Sequence, residues 1–222
     1  MPLRKVPLVN GEYYHVFNRT QNKEPVFVNA RDCRRAVGAI SYYRYLYLPL
    51  KFSHFLLKGS VHQEEILKRM ESFSKLVDVI TYCLMPNHFH LLLRQDTDGG
   101  ISRFLALFQN SITKYRNTKY KKEGHLFSGR FKAVRIEDES QLLHVHRYIH
   151  LNPYTSYVVK NIADLENYPY SSFREYLGLD EGFCNKNVIL SSFSNIDEYK
   201  KFVFNQADYQ RELKKITHLV FD

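Results

Sequence analysis

Apolar and polar positions along the chain change their period several times, and each change marks an element. Glu12-Tyr13-Tyr14-His15-Val16-Phe17-Asn18-Arg19 is aromatic and β-branched and predicts a first strand, followed by a polar turn over Thr20 to Glu24. Asn29 is placed as an N-cap for a helix that starts at Ala30, runs toward Leu48 and stops by Pro49. Tyr42, Tyr43, Tyr45 and Tyr47 crowd its end and divide between core and groove lining in a way the pattern leaves open. Val61 to Ser74 reads as a second helical stretch, with Ile66, Leu67 and Met70 at helical spacing. Strands over Val77–Leu84 and His88–Gln95 follow, joined by Met85-Pro86-Asn87, where Pro presets φ and Asn tolerates an unusual backbone. Ile101 to Tyr120 carries Ile101, Phe104, Leu105, Phe108, Ile112 and Tyr115 at a 3.6-residue period. After a glycine-bracketed loop (Gly124 to Gly129), Phe131 to Ile136 alternates as a strand. Asp138-Glu139-Ser140-Gln141 has the form of a capping box for a helix over Gln141 to about Asn152, ended by Pro153. A terminal helix over roughly Ile196 to Ile216 has Tyr199, Phe202 and Val203 on one side.

The order β-α-β-β-α-β-α predicts an α+β fold: a ferredoxin-like split βαβ sheet with helices on one face, one further helix, and a C-terminal helical extension. The expected division is a core over residues 10–155 and an extension over 156–222.

Two of these elements carry chemistry. On a strand, residues i and i+2 point the same way, so His88 and His90 project side by side while Phe89 and Leu91 point to the buried face. Two imidazoles on a rigid strand are two thirds of a facial metal site. On the helix before Pro153, Leu142, Val145 and Ile149 form the stripe expected against the sheet, and His144, Tyr148 and Asn152 form another at i, i+4, i+8. Tyr148 and Asn152, one turn apart, can then serve a metal and a substrate atom bound to it. His146 and His150 could also chelate at i, i+4, which would turn Tyr148 elsewhere.

Composition narrows the class. With 44% hydrophobic and 25% charged residues, the chain supports a sizeable core. A net charge of +9 favours a polyanionic partner, most simply nucleic acid. The basic run Lys114, Arg116, Lys119, Lys121 and Lys122 interleaves with Tyr115 and Tyr120; Arg130 and Lys132 flank Phe131; Arg19 ends the first strand. Cations beside rings suit single-stranded nucleic acid, with phosphates on the charges and bases on the aromatics. Cys33, Cys83 and Cys184 are odd in number and far apart, which argues against a disulfide framework or zinc ribbon and fits a reducing, cytoplasmic setting. No apolar run of signal-peptide or membrane-span length occurs.

Met85-Pro86-Asn87-His88-Phe89-His90-Leu91-Leu92-Leu93 resembles the His-hydrophobe-His motif of the HUH single-tyrosine transposases. Gly124-His125-Leu126-Phe127-Ser128-Gly129-Arg130-Phe131-Lys132 and Arg147-Tyr148-Ile149-His150-Leu151-Asn152-Pro153 are similar to two further motifs of that superfamily, in the same order. Tyr14 to Arg19 matches the usual first strand, and Tyr170-Ser171-Ser172-Phe173-Arg174-Glu175-Tyr176 a segment common after the core. The branch most resembled is the REP-associated tyrosine transposases, over roughly Tyr13 to Leu177.

The resemblance implies a nuclease and strand transferase acting on single-stranded or hairpin DNA in the cytoplasm, at the nucleoid. It makes His88, His90 and Asn152 ligands of Mg²⁺ or Mn²⁺, and Tyr148 the nucleophile that leaves a 5′-phosphotyrosyl link. Relatives differ in whether the tyrosine helix acts within its own chain or is exchanged in a dimer; the long extension favours a monomer. Two other readings remain: a domesticated, non-catalytic single-stranded DNA- or RNA-binding protein on the same fold, and a phosphoesterase in which water attacks instead of Tyr148.

Overall fold

In a computed structural model, residues 7–212 are described. Strands β1 (Tyr13–Arg19), β2 (Val77–Met85), β3 (His88–Gln95) and β4 (Lys132–Arg135) form one antiparallel sheet in the order β2-β3-β1-β4. Longer helices are α1 (Ala30–Tyr43), α3 (Ser60–Met70), α4 (Gly100–Tyr120), α5 (Glu139–Thr155) and α8 (Ile196–Phe204); α2 (Phe52–Phe55), α6 (Phe173–Tyr176) and α7 (Asn187–Leu190) are single turns. The expected terminal helix beyond residue 212 lies outside the described residues.

The sheet separates two apolar cores. Tyr14, Val16, Tyr82, Leu84, Phe89, Leu91 and Leu93 point to one side and pack with α1 and α4. Cys83, Met85 and Leu92 point to the other, where they meet Leu142 and Ile149 of α5 and Phe173, Tyr176, Tyr199 and Val203 of the C-terminal segment. The two helices of the split βαβ plan, α1 and α4, therefore share one face as expected, and the further helix α5 with the C-terminal segment covers the other. The second layer follows from the all-buried pattern of β2, whose apolar side chains need a partner on each side.

Three local expectations change. First, α1 ends at Tyr43 rather than near Leu48, because the carbonyl of Arg44 accepts from Leu76 N (2.7 Å) and Tyr45 forms a bridge with Lys75. Second, α5 runs through Pro153 to Thr155. A proline removes one intrahelical donor, but residues 150–155 are buried. Ser156 N and Thr155 Oγ1 both donate to the carbonyl of Asn152, which keeps the last turn satisfied. Third, Asn87 has no positive φ. The tight turn is braced instead by the segment before α1: Thr20 N donates to the carbonyl of Asn87, and Val26 N and Phe27 N donate to that of Pro86.

The start of α5 follows the capping expectation. Asp138 Oδ1 accepts from Gln141 N (2.7 Å), and the Gln141 side chain reaches back to Glu137 N.

Candidate active site

Period 2 decides what β1, β3 and β4 present to α5. His88 and His90 from β3, with His15, Phe17 and Arg19 from β1 and Lys132 from β4, lie on one face; Phe17 is in register with His90 and with Lys132, and Arg19 with His88. The helix above contributes Tyr148 and Asn152. Together with Asn18, Lys23, Asn87, Ser128, Arg130 and Ser156, these residues apart from His15 line a cleft of about 580 Å³. The tie between Ser128 N and the Arg19 carbonyl (2.8 Å) brings Ser128 and Arg130 to its edge, where Gly129 takes a positive φ of 54°.

The rings at the centre are close. The centroid of His90 lies 5.1 Å from that of His88, 5.6 Å from Tyr148 and 5.2 Å from His15, and that of His15 lies 5.8 Å from Tyr148. His90 is only 6% exposed, and Asn152, at the rear, is fully buried. The side-chain Nδ2 of Asn152 donates to the carbonyl of Tyr148 (3.0 Å), which orients its oxygen end away from that carbonyl.

Burial pushes the Tyr148 phenol above its ordinary value. The hydrogen bond from the Asn152 side chain and the Arg19 charge pull the other way without cancelling it. Burial also lowers His15 to about 4, so it is neutral at pH 7.

The donor set fits a divalent metal. Asn87 Nδ2 donates to the Lys23 carbonyl (3.2 Å), so its Oδ1 faces His88 Nδ1 (2.7 Å) as an acceptor. His88 Nδ1 therefore carries the proton, which leaves Nε2 as the nitrogen that could hold a metal. With the Asn152 oxygen this gives two imidazoles and one amide oxygen, a set that suits Mn²⁺ or Mg²⁺. Among the described residues, no group of three or more His, Cys, Asp or Glu side chains is arranged to hold a metal.

His146 and His150, the other possible chelating pair, turn away from the cleft. His146 Nδ1 is 2.6 Å from Thr81 Oγ1, and its Nε2 is 2.9 Å from the Tyr199 hydroxyl. His150 Nδ1 is 2.9 Å from the same hydroxyl, and its Nε2 is 2.9 Å from Ser172 Oγ. The pair bridges α5 to β2 and α8. His144 accepts from Arg147 Nη2 (2.6 Å).

The expected cationic residues divide. Arg19, Arg130 and Lys132 line the cleft. The run on α4 does not. Arg116 and Lys122 pair with Glu24, and Lys119 pairs with Asp32 at 2.7 Å. These ion pairs tie the end of α4 to the segment before α1 and to α1 itself, so two carboxylates offset two of the three charges. Lys114 lines a different cavity with Arg35, Lys51 and Tyr115, and Lys121 is the left-handed C-cap of α4. The sequence reading did not select His15, Phe17 or Lys23 for the site. Period 2 from Arg19 would have found the first two; Lys23 follows only from the left-handed turn at Asn22 and Lys23.

A family profile described as "Transposase IS200 like" matches residues 39–152. Among solved structures, the chain is similar to a REP-associated tyrosine transposase bound to a REP hairpin. Identity there is 14%, with 80% of this chain and 86% of that chain covered and a TM-score of 0.55, a likeness of fold. It also aligns with a putative transposase from Deinococcus radiodurans (15% identity, 67% of this chain, 95% of that one, TM-score 0.34). A third alignment is with a tRNA(His) guanylyltransferase from Saccharomyces cerevisiae (9% identity, 93% and 77% covered, TM-score 0.36). Neither of these two scores is high enough to carry an argument. No curated protein matches the chain.

Proposed function

The chain belongs to the IS200-like transposase family, and from that premise we propose that it is a metal-dependent endonuclease and strand transferase for single-stranded, hairpin-bearing DNA. The observation that supports this most is the placement of Tyr148 beside His90 in one cleft, with His88, Asn152 and four cations around it.

In this reading, Tyr148 Oη attacks a DNA phosphorus. The bond from phosphorus to the 3′ oxygen breaks, that oxygen leaves as a 3′-hydroxyl, and the phenol gives up its proton. The product is a 5′-phosphotyrosyl link that conserves the phosphodiester energy, so a later 3′-hydroxyl can displace the tyrosine and rejoin a strand. A phenol with a pKa near 10, raised further by burial, is a weak nucleophile at pH 7. A divalent metal held by His88, His90 and Asn152 would supply Lewis-acid stabilisation of the charge that develops on the phosphate. Arg19, Lys23, Arg130 and Lys132 bind the flanking phosphates, and Phe17, on the cleft wall, offers a face for a base. Residues 10–155 form the catalytic part, and the extension from 156 braces α5.

Incubation with single-stranded hairpin DNA and Mn²⁺ is expected to give a covalent protein–DNA adduct that a chelator abolishes. Salt-sensitive binding without any adduct, across a broad set of hairpins, would instead identify a non-catalytic binding protein. Turnover of small phosphodiesters without an adduct would identify water as the nucleophile. Among the described residues, no helix is long and apolar enough to cross a membrane.

The tyrosine acts within its own chain in this reading, since Tyr148 sits over its own β3 and α5 is pinned by Tyr199 of α8. Mixing Tyr148→Phe with His90→Ala protein is then expected to restore no adduct. Recovery of a substantial fraction of wild-type adduct would show helix exchange between subunits.

A further inference from the structure

We propose that His15 is a positioning residue: it accepts a hydrogen bond from His90 Nδ1 and thereby holds His90 in the tautomer that turns its Nε2 to a metal. The proposal rests on the metal reading above and deepens it, since it adds a residue outside the His-hydrophobe-His motif.

The geometry is specific. His15 Nε2 lies 3.0 Å from His90 Nδ1, with the rings nearly parallel (24°) and their centroids 5.2 Å apart. Backbone register makes His15 a diagonal neighbour of His90, because His15 pairs with Leu92 while Phe17 pairs with His90. A contact between two imidazole nitrogens at this distance holds one proton. If His15 donates it, His90 carries its own proton on Nε2 and cannot ligate through that atom. If His90 donates it, Nε2 presents a lone pair. Only the second arrangement parallels His88, whose Nδ1 is held by the Asn87 oxygen.

His15 does not complete a third-histidine ligand set, since no group of three such side chains among the described residues is arranged to hold a metal. Its place is one bond further out, where a partner orients a ligand. It also meets the Tyr148 ring edge-on at 5.8 Å, so one side chain touches both a ligand and the nucleophile.

The test uses full-length protein and two readouts. His15→Phe keeps a ring between His90 and Tyr148 but removes the acceptor. Mn²⁺ affinity, measured without DNA by calorimetry or electron paramagnetic resonance, is expected to fall about 10- to 100-fold. Metal-free binding of single-stranded DNA is expected to be unchanged. His15→Gln, whose amide oxygen can take the place of Nε2, is expected to recover most of the affinity. Independently, nitrogen-15 NMR of the metal-free wild-type protein is expected to show His90 protonated on Nδ1. An unchanged Mn²⁺ affinity in folded His15→Phe, or His90 protonated on Nε2 in the wild type, overturns the proposal. Wild-type protein that binds no Mn²⁺ overturns the metal reading and this proposal together. If His15→Phe does not fold, the wild-type tautomer decides.

Discussion

Tyr148→Phe is expected to leave no covalent adduct with single-stranded hairpin DNA while keeping metal and DNA binding. The substitution removes one oxygen and the hydrogen bond that the Asn152 side chain makes to it. The ring still meets His15 and His90 edge-on, and the Asn152 side chain still holds the backbone carbonyl of residue 148. The loss is therefore a loss of nucleophile, and its signature is an adduct that vanishes in denaturing electrophoresis while gel-shift affinity stays at the wild-type level. An adduct that survives would move the nucleophile elsewhere on the chain and sink the assignment.

The second large effect concerns the helix that carries the tyrosine. Thr81, His146, Tyr199, His150 and Ser172 form a chain of hydrogen bonds that is buried throughout. One set of proton positions satisfies all of it. Ser172 Oγ accepts from Tyr82 N and donates to the Tyr82 carbonyl. His150 then donates to Ser172 through Nε2 and accepts from the Tyr199 hydroxyl at Nδ1. Tyr199 accepts from His146 Nε2, and His146 Nδ1 accepts from Thr81. Ser172 Oγ then accepts twice and donates once, every ring nitrogen has a partner, and both histidines are neutral.

Tyr199→Phe leaves one nitrogen of each histidine without its partner in a dry site. At about 1–3 kcal/mol for each unsatisfied buried group, the expected destabilisation is about 2–6 kcal/mol, a large share of the roughly 5–15 kcal/mol that holds a domain together. Urea denaturation measures it, and a change below about 1 kcal/mol would show that the network is not a brace.

The same network sets an acid limit. Burial lowers His146 to about 3 and puts His150 well below its ordinary value, with His146 adding to the latter. Native pKa values below the unfolded ones mean that the unfolded chain binds the protons first. Stability is thus full above about pH 6.5 and falls as pH drops below it, by about 1.4 kcal/mol per pH unit for each histidine. For His146 the fall continues until pH nears its native value. Denaturation curves at pH 7, 6 and 5 are expected to show this loss. Flat stability across that range would mean the histidines are solvated.

Much of this molecule was legible in order of residues. Aromatic and β-branched residues located β1, and the Met85-Pro86-Asn87 turn separated β2 from β3; the capping pattern at Asp138 located the start of α5; and the His88-Phe89-His90 triplet with Tyr148 and Asn152 gave both halves of the candidate site, because periods of 2 and 3.6 assign side chains to faces without knowledge of the fold. The basic run on α4 shows the limit of the same reasoning. Arg116, Lys119 and Lys122 look free in the sequence, and only the approach of Glu24 and Asp32 from elsewhere in the chain engages them in ion pairs.

Other features exist only in three dimensions. A register shift between Val79 and Thr81 turns both Ile80 and Thr81 toward α5, against the strict alternation of a strand, and so delivers the Thr81 hydroxyl to His146. Whether His146 and His150 chelate or brace was open by spacing and is decided by Tyr199, some 50 residues away. His15 was one histidine among ten until the pairing of β1 with β3 set it against His90. The sequence by itself determined which side chains share a face, since that follows from local backbone geometry. Which faces meet depends on burial and on hydrogen bonds between distant segments, and that was left to the tertiary structure.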